Sequence, residues 1–329
     1  MPPRQKTFLE SMPTAALITL ALVLLLTAGC DPEQAPEGGP SELCPDGHAR
    51  GPATLRLQRI APFTPSPEGV AVCPGGDIFV TVDGPDEIRR VPLDGSPSSL
   101  VAKLPGVQPA GLTCDERGRL FVAGFSNRDG TPSPPMLMVP KTGGDVVRLP
   151  APEGGQGVFG LNGIVAVPGV GIIASDTGGG QLLLAQQRPG GSFVTQVIAN
   201  DLLGANGLAY DPRTRRLHVV ISFLPARVIS FQLGANGSLS GRRTEFSAGL
   251  LTLLDGVAVD ETGELYVADY LGGQILHGRD GEPLAKLSSP ASFAFRGGSL
   301  LTTSYLLGNP RGEGGLYRLA VGRCGAYAD

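Results

Sequence analysis

Glu68, Asn162, Asn206 and Asp255 each stand immediately before a glycine that opens a short apolar run: Glu68-Gly-Val-Ala-Val72, Asn162-Gly-Ile-Val-Ala166, Asn206-Gly-Leu-Ala-Tyr210 and Asp255-Gly-Val-Ala-Val259. Two further units of the same kind carry Ala110 and Ala291 in that place. Two carboxylates and two amide oxygens are hard donors. Brought together they suit Ca²⁺, which takes about 6–8 oxygens in flexible geometry. Without a cation the two carboxylates would repel each other. His48, His218 and His277 fall at unrelated phases of the repeat, so zinc is not expected. Asn-Gly and Asp-Gly also make turns. The chain holds controls for that reading in Asp94-Gly95, Asp129-Gly130, Asn236-Gly237 and Asp280-Gly281, none of which precedes such a run. Glu68 is no turn former, which favours a functional set over turn chemistry.

Such residues need a scaffold that returns to one axis several times. The glycines Gly69, Gly111, Gly163, Gly207 and Gly256, with Ser292 in a sixth place, mark a repeat. Its period, roughly 40–50 residues, is that of propeller blades. Each opening run is followed by a second, as in Arg119-Leu-Phe-Val-Ala123 or Glu264-Leu-Tyr-Val-Ala-Asp269, with room for two more strands. Asp115–Gly118 and Asp260–Gly263 read as the hairpin turns between first and second strands. A solenoid would need helices or a horseshoe motif, and neither is visible. The 49 glycines and 30 prolines agree with many turns and short strands. The expected fold is all-β, a six-bladed β-propeller closed by an N-terminal strand. Thr54–Ile60 has no partner of its own, and Gly315–Ala320 is a third strand lacking a fourth. Pairing them would remove an exposed sheet edge. It would also bring Cys44 to Cys324, and a disulfide is expected there. Cys73 and Cys114 sit at matching ends of neighbouring first strands, and buried free thiols are expected.

The N-terminal region reads differently. Met1–Lys6 is basic, Ala15–Ala28 is apolar, and the run ends in Leu26-Thr-Ala-Gly-Cys30. This is the pattern of a secretory signal, and the apolar run is shorter than the roughly 20 residues of a span. Leu-Thr-Ala-Gly-Cys resembles the bacterial lipobox, so Cys30 is the expected lipidation site. The expected order is a signal peptide over 1–29, the lipidated cysteine and a Pro/Gly/Glu-rich tether over 30–50, and the propeller over 51–329. The protein is then expected in the bacterial cell envelope, lipid-anchored to a membrane on its periplasmic side or at the cell surface. Lys and Arg number 26 against 30 Asp and Glu, with no basic stripe, so nucleic acid is not an expected partner. A monomer is expected.

The order Glu, Asn, Asn, Asp before the inner strands resembles the gluconolactonase/regucalcin (senescence marker protein) family of the calcium-dependent phosphotriesterase superfamily. Pro67-Glu68-Gly69, Asn206-Gly207 and Asp255-Gly256 match it most closely. The resemblance covers nearly the whole chain after the tether. It implies that Glu68, Asn206 and Asp255 are calcium ligands and that Asn162 is a ligand or a substrate contact. It implies hydrolysis of a lactone or ester, with a metal-bound water or Asp255 itself as base or nucleophile and a small-molecule substrate at the mouth of the central channel. Gluconolactonase-like enzymes carry an arginine two residues before the third-blade asparagine, where this chain has Gly160. The paraoxonases' N-terminal histidine pair is also missing. Individual blades resemble non-catalytic NHL-type propellers as well. The alternative is therefore a propeller that binds a ligand or protein and keeps calcium for rigidity. Asp83, Asp176 and Asp269, at the ends of second strands, are expected to bond their own blade turns. The loops Asn127–Pro135 and Tyr305–Gly315 are candidates for a binding surface.

Overall fold

The computed structural model describes residues 43–44, 46–127, 136–152, 157–223, 225–306 and 314–326. The expected signal peptide, Cys30, two thirds of the tether and most of the two candidate loops lie outside the described residues. Alternating apolar residues between Gly- and Asp-rich turns yield strands throughout. β1 (Leu57–Phe63) stands ahead of the blades. Blade one is β2 (Pro67–Val72), β3 (Ile78–Val82), β4 (Glu87–Val91) and β5 (Ser99–Lys103). Blade two is β6 (Val107–Cys114), β7 (Arg119–Asn127), β8 (Met136–Pro140) and β9 (Val147–Arg148). Blade three is β10 (Leu161–Val167), β11 (Gly171–Asp176), β12 (Gln181–Gln187) and β13 (Phe193–Ala199). Blade four is β14 (Ala205–Asp211), β15 (Arg216–Ile221), β16 (Arg227–Leu233) and β17 (Leu239–Ser247). Blade five is β18 (Leu254–Val259), β19 (Leu265–Asp269), β20 (Gln274–His277) and β21 (Glu282–Lys286). The last blade is β22 (Pro290–Arg296), β23 (Ser299–Ser304) and β24 (Gly314–Ala320), completed by β1. Each blade is an antiparallel four-stranded sheet, and together they are a six-bladed β-propeller.

β1 pairs antiparallel with β24, Leu57 opposite Leu319 and Phe63 opposite Gly314. The N-terminal strand thus covers the edge that β24 would expose. The disulfide between Cys44 and Cys324 ties the two terminal segments together. Asp46–Arg50, placed in the tether by composition, already belongs to the propeller. Gly298 N–H donates to the Ala49 carbonyl at 3.0 Å, and Gly297 N–H donates to the Asp46 carboxylate at 2.6 Å. The chain after Cys324 adds to β18, with Ala326 N–H donating to the Val259 carbonyl at 2.9 Å.

The expectation of free thiols at Cys73 and Cys114 is corrected. They form a second disulfide, with Cα atoms 5.2 Å apart. Adjacent inner strands run side by side close to the axis, so their matching ends come within bonding distance. Sequence placed the two cysteines in register but carried no measure of that spacing.

The apolar residues fill the seams between blades. Val70, Val80 and Leu301 join blades one and six, while Phe79, Ile88, Leu112 and Leu120 join blades one and two. Ile173, Leu182, Leu217 and Val219 do the same between blades three and four. Each seam uses side chains of two blades, so no blade completes its core alone.

Candidate metal centre

The expected turns are present. The Asp115 carboxylate accepts from the Arg117 and Arg119 N–H groups at 3.1 and 2.8 Å, and Asp260 accepts from Thr262 and Glu264 at 2.8 and 3.0 Å. These side chains stand in for missing strand partners and return β7 and β19 along β6 and β18.

The column ahead of the repeated glycines is a different device. In every blade the pairing of first and second strand slips there: between Pro67 and Val70, Pro109 and Leu112, Leu161 and Ile164, Ala205 and Leu208, Leu254 and Val257, and Pro290 and Phe293. A β-bulge at this point bends the strand and re-aims a side chain. The repeated glycines do not take the left-handed backbone, whereas the control glycines Gly95, Gly237 and Gly281 have φ of 82°, 85° and 68°. The Asn-Gly and Asp-Gly pairs of the column are therefore not turns. Asp129-Gly130, the fourth control, lies outside the described residues. The glycine itself is required by the neighbouring blade. A Cβ on Gly69 would lie 2.6 Å from the Ala110 carbonyl oxygen, and one on Gly207 would strike the Asp255 carbonyl oxygen.

The bulges bring Glu68, Asn162, Asn206 and Asp255 to one small cavity of about 40 Å³ at the mouth where the inner strands begin. That is room for an ion or a few waters. Glu68, Asn206 and Asp255 are buried, and Asn162 is half-buried. Ala291 completes the ring without a donor side chain. The Asn206 amide nitrogen donates to Ser222 Oγ at 2.9 Å, which fixes the amide plane and leaves Oδ1 buried with no hydrogen-bond partner. Glu68 Oε2 is likewise buried without one. Burial, then the charges of Asp255 and Asp83, hold the Glu68 carboxyl well above the usual carboxylate range. Burial pushes the Asp255 carboxyl up to about 7, against a hydrogen bond from the Asn206 amide. Two buried carboxyls, with partnerless oxygens on Glu68 and Asn206, form an oxygen-donor set that a cation would satisfy. Among the described residues no arginine or lysine lines the cavity. At Gly160 the backbone has φ of 133° and a Cβ would lie 3.3 Å from both the Phe125 ring and its carbonyl oxygen, so a side chain there would be strained and tightly packed. Among the described residues no cluster of three or more His, Cys, Asp or Glu is poised for a metal, so any ion here depends on the two amides.

Sequence reasoning missed the hydroxyls that hold this ring. Thr81 on β3 accepts from Gly69 N–H at 2.8 Å and donates to the Ala110 carbonyl at 2.6 Å. Ser175 on β11 accepts from Gly163 N–H at 2.9 Å and donates to the Asn206 carbonyl at 2.7 Å. Thr303 on β23 accepts from Ser292 N–H at 3.1 Å and donates to the Glu68 carbonyl. Each hydroxyl satisfies a backbone group freed by the bulge and ties one blade to the next. The signal was a hydroxyl recurring near the end of three second strands. Of the three expected rim aspartates, Asp176 and Asp269 bond their own turns through Gly179 and Gly272 N–H at 3.0 and 2.9 Å. Asp83 differs. It accepts from the Tyr305 hydroxyl at 3.0 Å and from the Gln108 amide at 3.1 Å, which links blades six, one and two beside Glu68.

Residues 164–307 match the family model described as the SMP-30/Gluconolactonase/LRE-like region. Blades three to six of the propeller are thus similar to that family's region. The matched region holds Asn206 and Asp255, while Glu68 and Asn162 precede it. No curated protein matches the chain in sequence. Solved structures similar to it include a gluconolactonase from Xanthomonas campestris, with a TM-score of 0.63 and 18% identity over 81% of this chain and 89% of that one. A calcium-binding protein, regucalcin from Agrobacterium tumefaciens, has a TM-score of 0.61 and 16% identity over 81% and 93% of the two chains. A luciferin-regenerating enzyme has a TM-score of 0.60 and 17% identity over 83% and 97%. At these identities the likeness speaks for the fold.

Proposed function

We propose that this propeller is a calcium-dependent hydrolase of lactones or esters, acting at the mouth ringed by Glu68, Asn162, Asn206 and Asp255. The observation that carries the reading is the pair of buried, partnerless oxygens on Glu68 and Asn206, set beside a second buried carboxyl. The SMP-30/gluconolactonase-like match supports the reaction class, and the calcium-binding neighbour supports the choice of ion. What calcium would supply when bound there is Lewis-acid polarisation of the scissile carbonyl. The chain's own residues do the rest. Glu68, Asn206 and Asp255 would hold the ion through their oxygens. Asn162, half-buried, is placed to touch either ion or substrate. Asp255 as carboxylate takes the proton of the attacking water at its Oδ, and returns it to the leaving alkoxide as the ring or ester opens. Thr303 and Ser175 keep the backbone of Glu68 and Asn206 in place throughout.

A second reading is a non-catalytic binding propeller in which calcium is structural. Gly160 favours it, because this position carries no cationic side chain where gluconolactonase-like enzymes carry an arginine. One experiment separates the two: metal analysis of the purified protein, then a screen of lactones and aryl esters with and without EDTA. EDTA-sensitive hydrolysis supports the enzyme. Bound calcium without hydrolysis supports the binder, and no bound calcium removes both. Asp255→Ala and Glu68→Ala should each lose the metal. We further propose that Cys30 anchors the protein by lipid in the cell envelope. The two disulfides, which suit an oxidising compartment, support export. Radiolabelled palmitate incorporated by the wild type and not by Cys30→Ala tests the anchor.

A further inference from the structure

Large apolar side chains gather on one sector of the metal-centre mouth. Phe159 and Leu203 stand three residues ahead of Asn162 and Asn206, and Leu250 and Leu251 lead into β18 and Asp255. Phe223 and Leu271 follow β15 and β19, which end at the same mouth. Phe159, Leu203, Leu250 and Leu251 are 65%, 63%, 75% and 82% exposed, and Phe223 and Leu271 are 37% and 40% exposed. Exposed hydrocarbon on this scale, arranged beside a polar cavity, marks a surface that meets a ligand. The remaining large exposed apolar residues are scattered over the N-terminal segment, a turn and outer strands.

The sector is held as one piece. Phe159 lies against Gly178, the Leu203 backbone against Gly180, and the Phe223 ring against Gly204. Backbone hydrogen bonds lace the loops: Leu202 N–H to Gly180 at 2.8 Å, Gly204 N–H to Thr177 at 3.1 Å and Ser222 N–H to Gly204 at 2.9 Å. The lacing continues through Leu254 N–H to Ser222 at 3.1 Å and Tyr270 N–H to Leu253 at 2.9 Å. The same connections carry Asn162, Asn206 and Asp255 at their ends, so hydrocarbon and oxygen donors are joined within a few residues. Among the described residues the cavity has no cationic side chain to meet an anionic substituent.

We infer that the blade three-to-five rim is the specificity surface of the mouth, and that the substrate class is a neutral lactone or ester bearing an alkyl or aryl body, not a polyhydroxylated or anionic one. The carbonyl enters the oxygen-lined cavity while the hydrocarbon body lies on Phe159, Leu203 and Phe223. This rests on the hydrolase reading only for the scissile bond, and the test is built to fail separately from it. Lactams are the amide isosteres of lactones and bind without needing turnover. Calorimetric titration of the protein in calcium with γ-lactams of increasing alkyl length should show Kd falling roughly threefold per methylene until the rim is covered. Leu203→Ser and Phe159→Ser, both at exposed positions, should flatten that series with calcium content and thermal midpoint unchanged. A Kd independent of chain length overturns the inference. So does sedimentation showing a dimer that these variants dissociate, because the rim would then be a self-interface. Chain-length-dependent lactam binding without hydrolysis of any lactone or ester leaves the rim standing and removes the enzyme. Lactone hydrolysis indifferent to chain length does the reverse.

Discussion

Glu68 and Asp255 are buried carboxyls facing one cavity, and among the described residues neither has a cationic side chain beside it. Their mutual repulsion should destabilise the metal-free protein. Glu68→Gln should therefore raise stability in EDTA by about 1–2 kcal/mol. In calcium the sign should reverse, because the variant loses a ligand. Thermal melts in the two media read both signs, and an identical shift in each would exclude an ion at this point. His218 is a residue-scale feature of another kind. It is buried on β15 with Nδ1 lacking a hydrogen-bond partner. Burial pushes its pKa down to about 4, helped by Arg216 and Arg279 and opposed by Asp211. The unfolded chain takes up this proton first as pH falls, so stability is complete above about 6.5 and is lost as pH falls from there towards 4. The loss from about pH 7 to about pH 5.5 should be about 1 kcal/mol from this group. Denaturant titrations at both pH values should show that slope, reduced in His218→Leu.

At the scale of the strand, the bulge before each repeated glycine is the unit that makes a site out of a scaffold. Gly69 cannot carry a side chain, since its Cβ would lie 2.6 Å from Ala110 O, 2.8 Å from Leu112 N and 2.9 Å from Thr81 Oγ1. Two of those atoms are backbone and cannot rotate away. Gly69→Ala should cost about 1–3 kcal/mol by overpacking. It should also weaken metal binding, since Glu68 is its neighbour. Denaturant midpoints and a calcium titration measure the two effects, and a fully wild-type profile would contradict the packing described here. Much of this element was legible in sequence: the glycine column marked first strands, and its phase singled out Glu68, Asn162, Asn206 and Asp255. The hydroxyls of Thr81, Ser175 and Thr303 recur at one phase of the repeat, but the partners they tie were not legible. They join residues of different blades, and a Thr or Ser in a strand has no local signature of its partner.

The ring as a whole closes by one strand and one disulfide. Cys44 and Cys324 are 280 residues apart in sequence, Cys73 and Cys114 only 41. By loop-closure entropy the first bridge should contribute about 5 kcal/mol and the second about 4. Replacing each pair by serine and comparing denaturant midpoints should rank them in that order. Equal losses, or a larger loss for Cys73–Cys114, would point to strand-end packing as the dominant effect. From the sequence alone came the all-β repeat, the number of blades, the closing strand and the pairing of Cys44 with Cys324. These follow from period, alternation and the rule that a sheet edge must be covered, all of which are local or topological. The tertiary structure alone decided the Cys73–Cys114 bridge, the Asp83–Tyr305 link, the partnerless oxygens of Glu68 and Asn206, and the apolar rim. Those depend on distances between inner strands and on which surfaces remain uncovered once six blades meet, and no single segment contains that information.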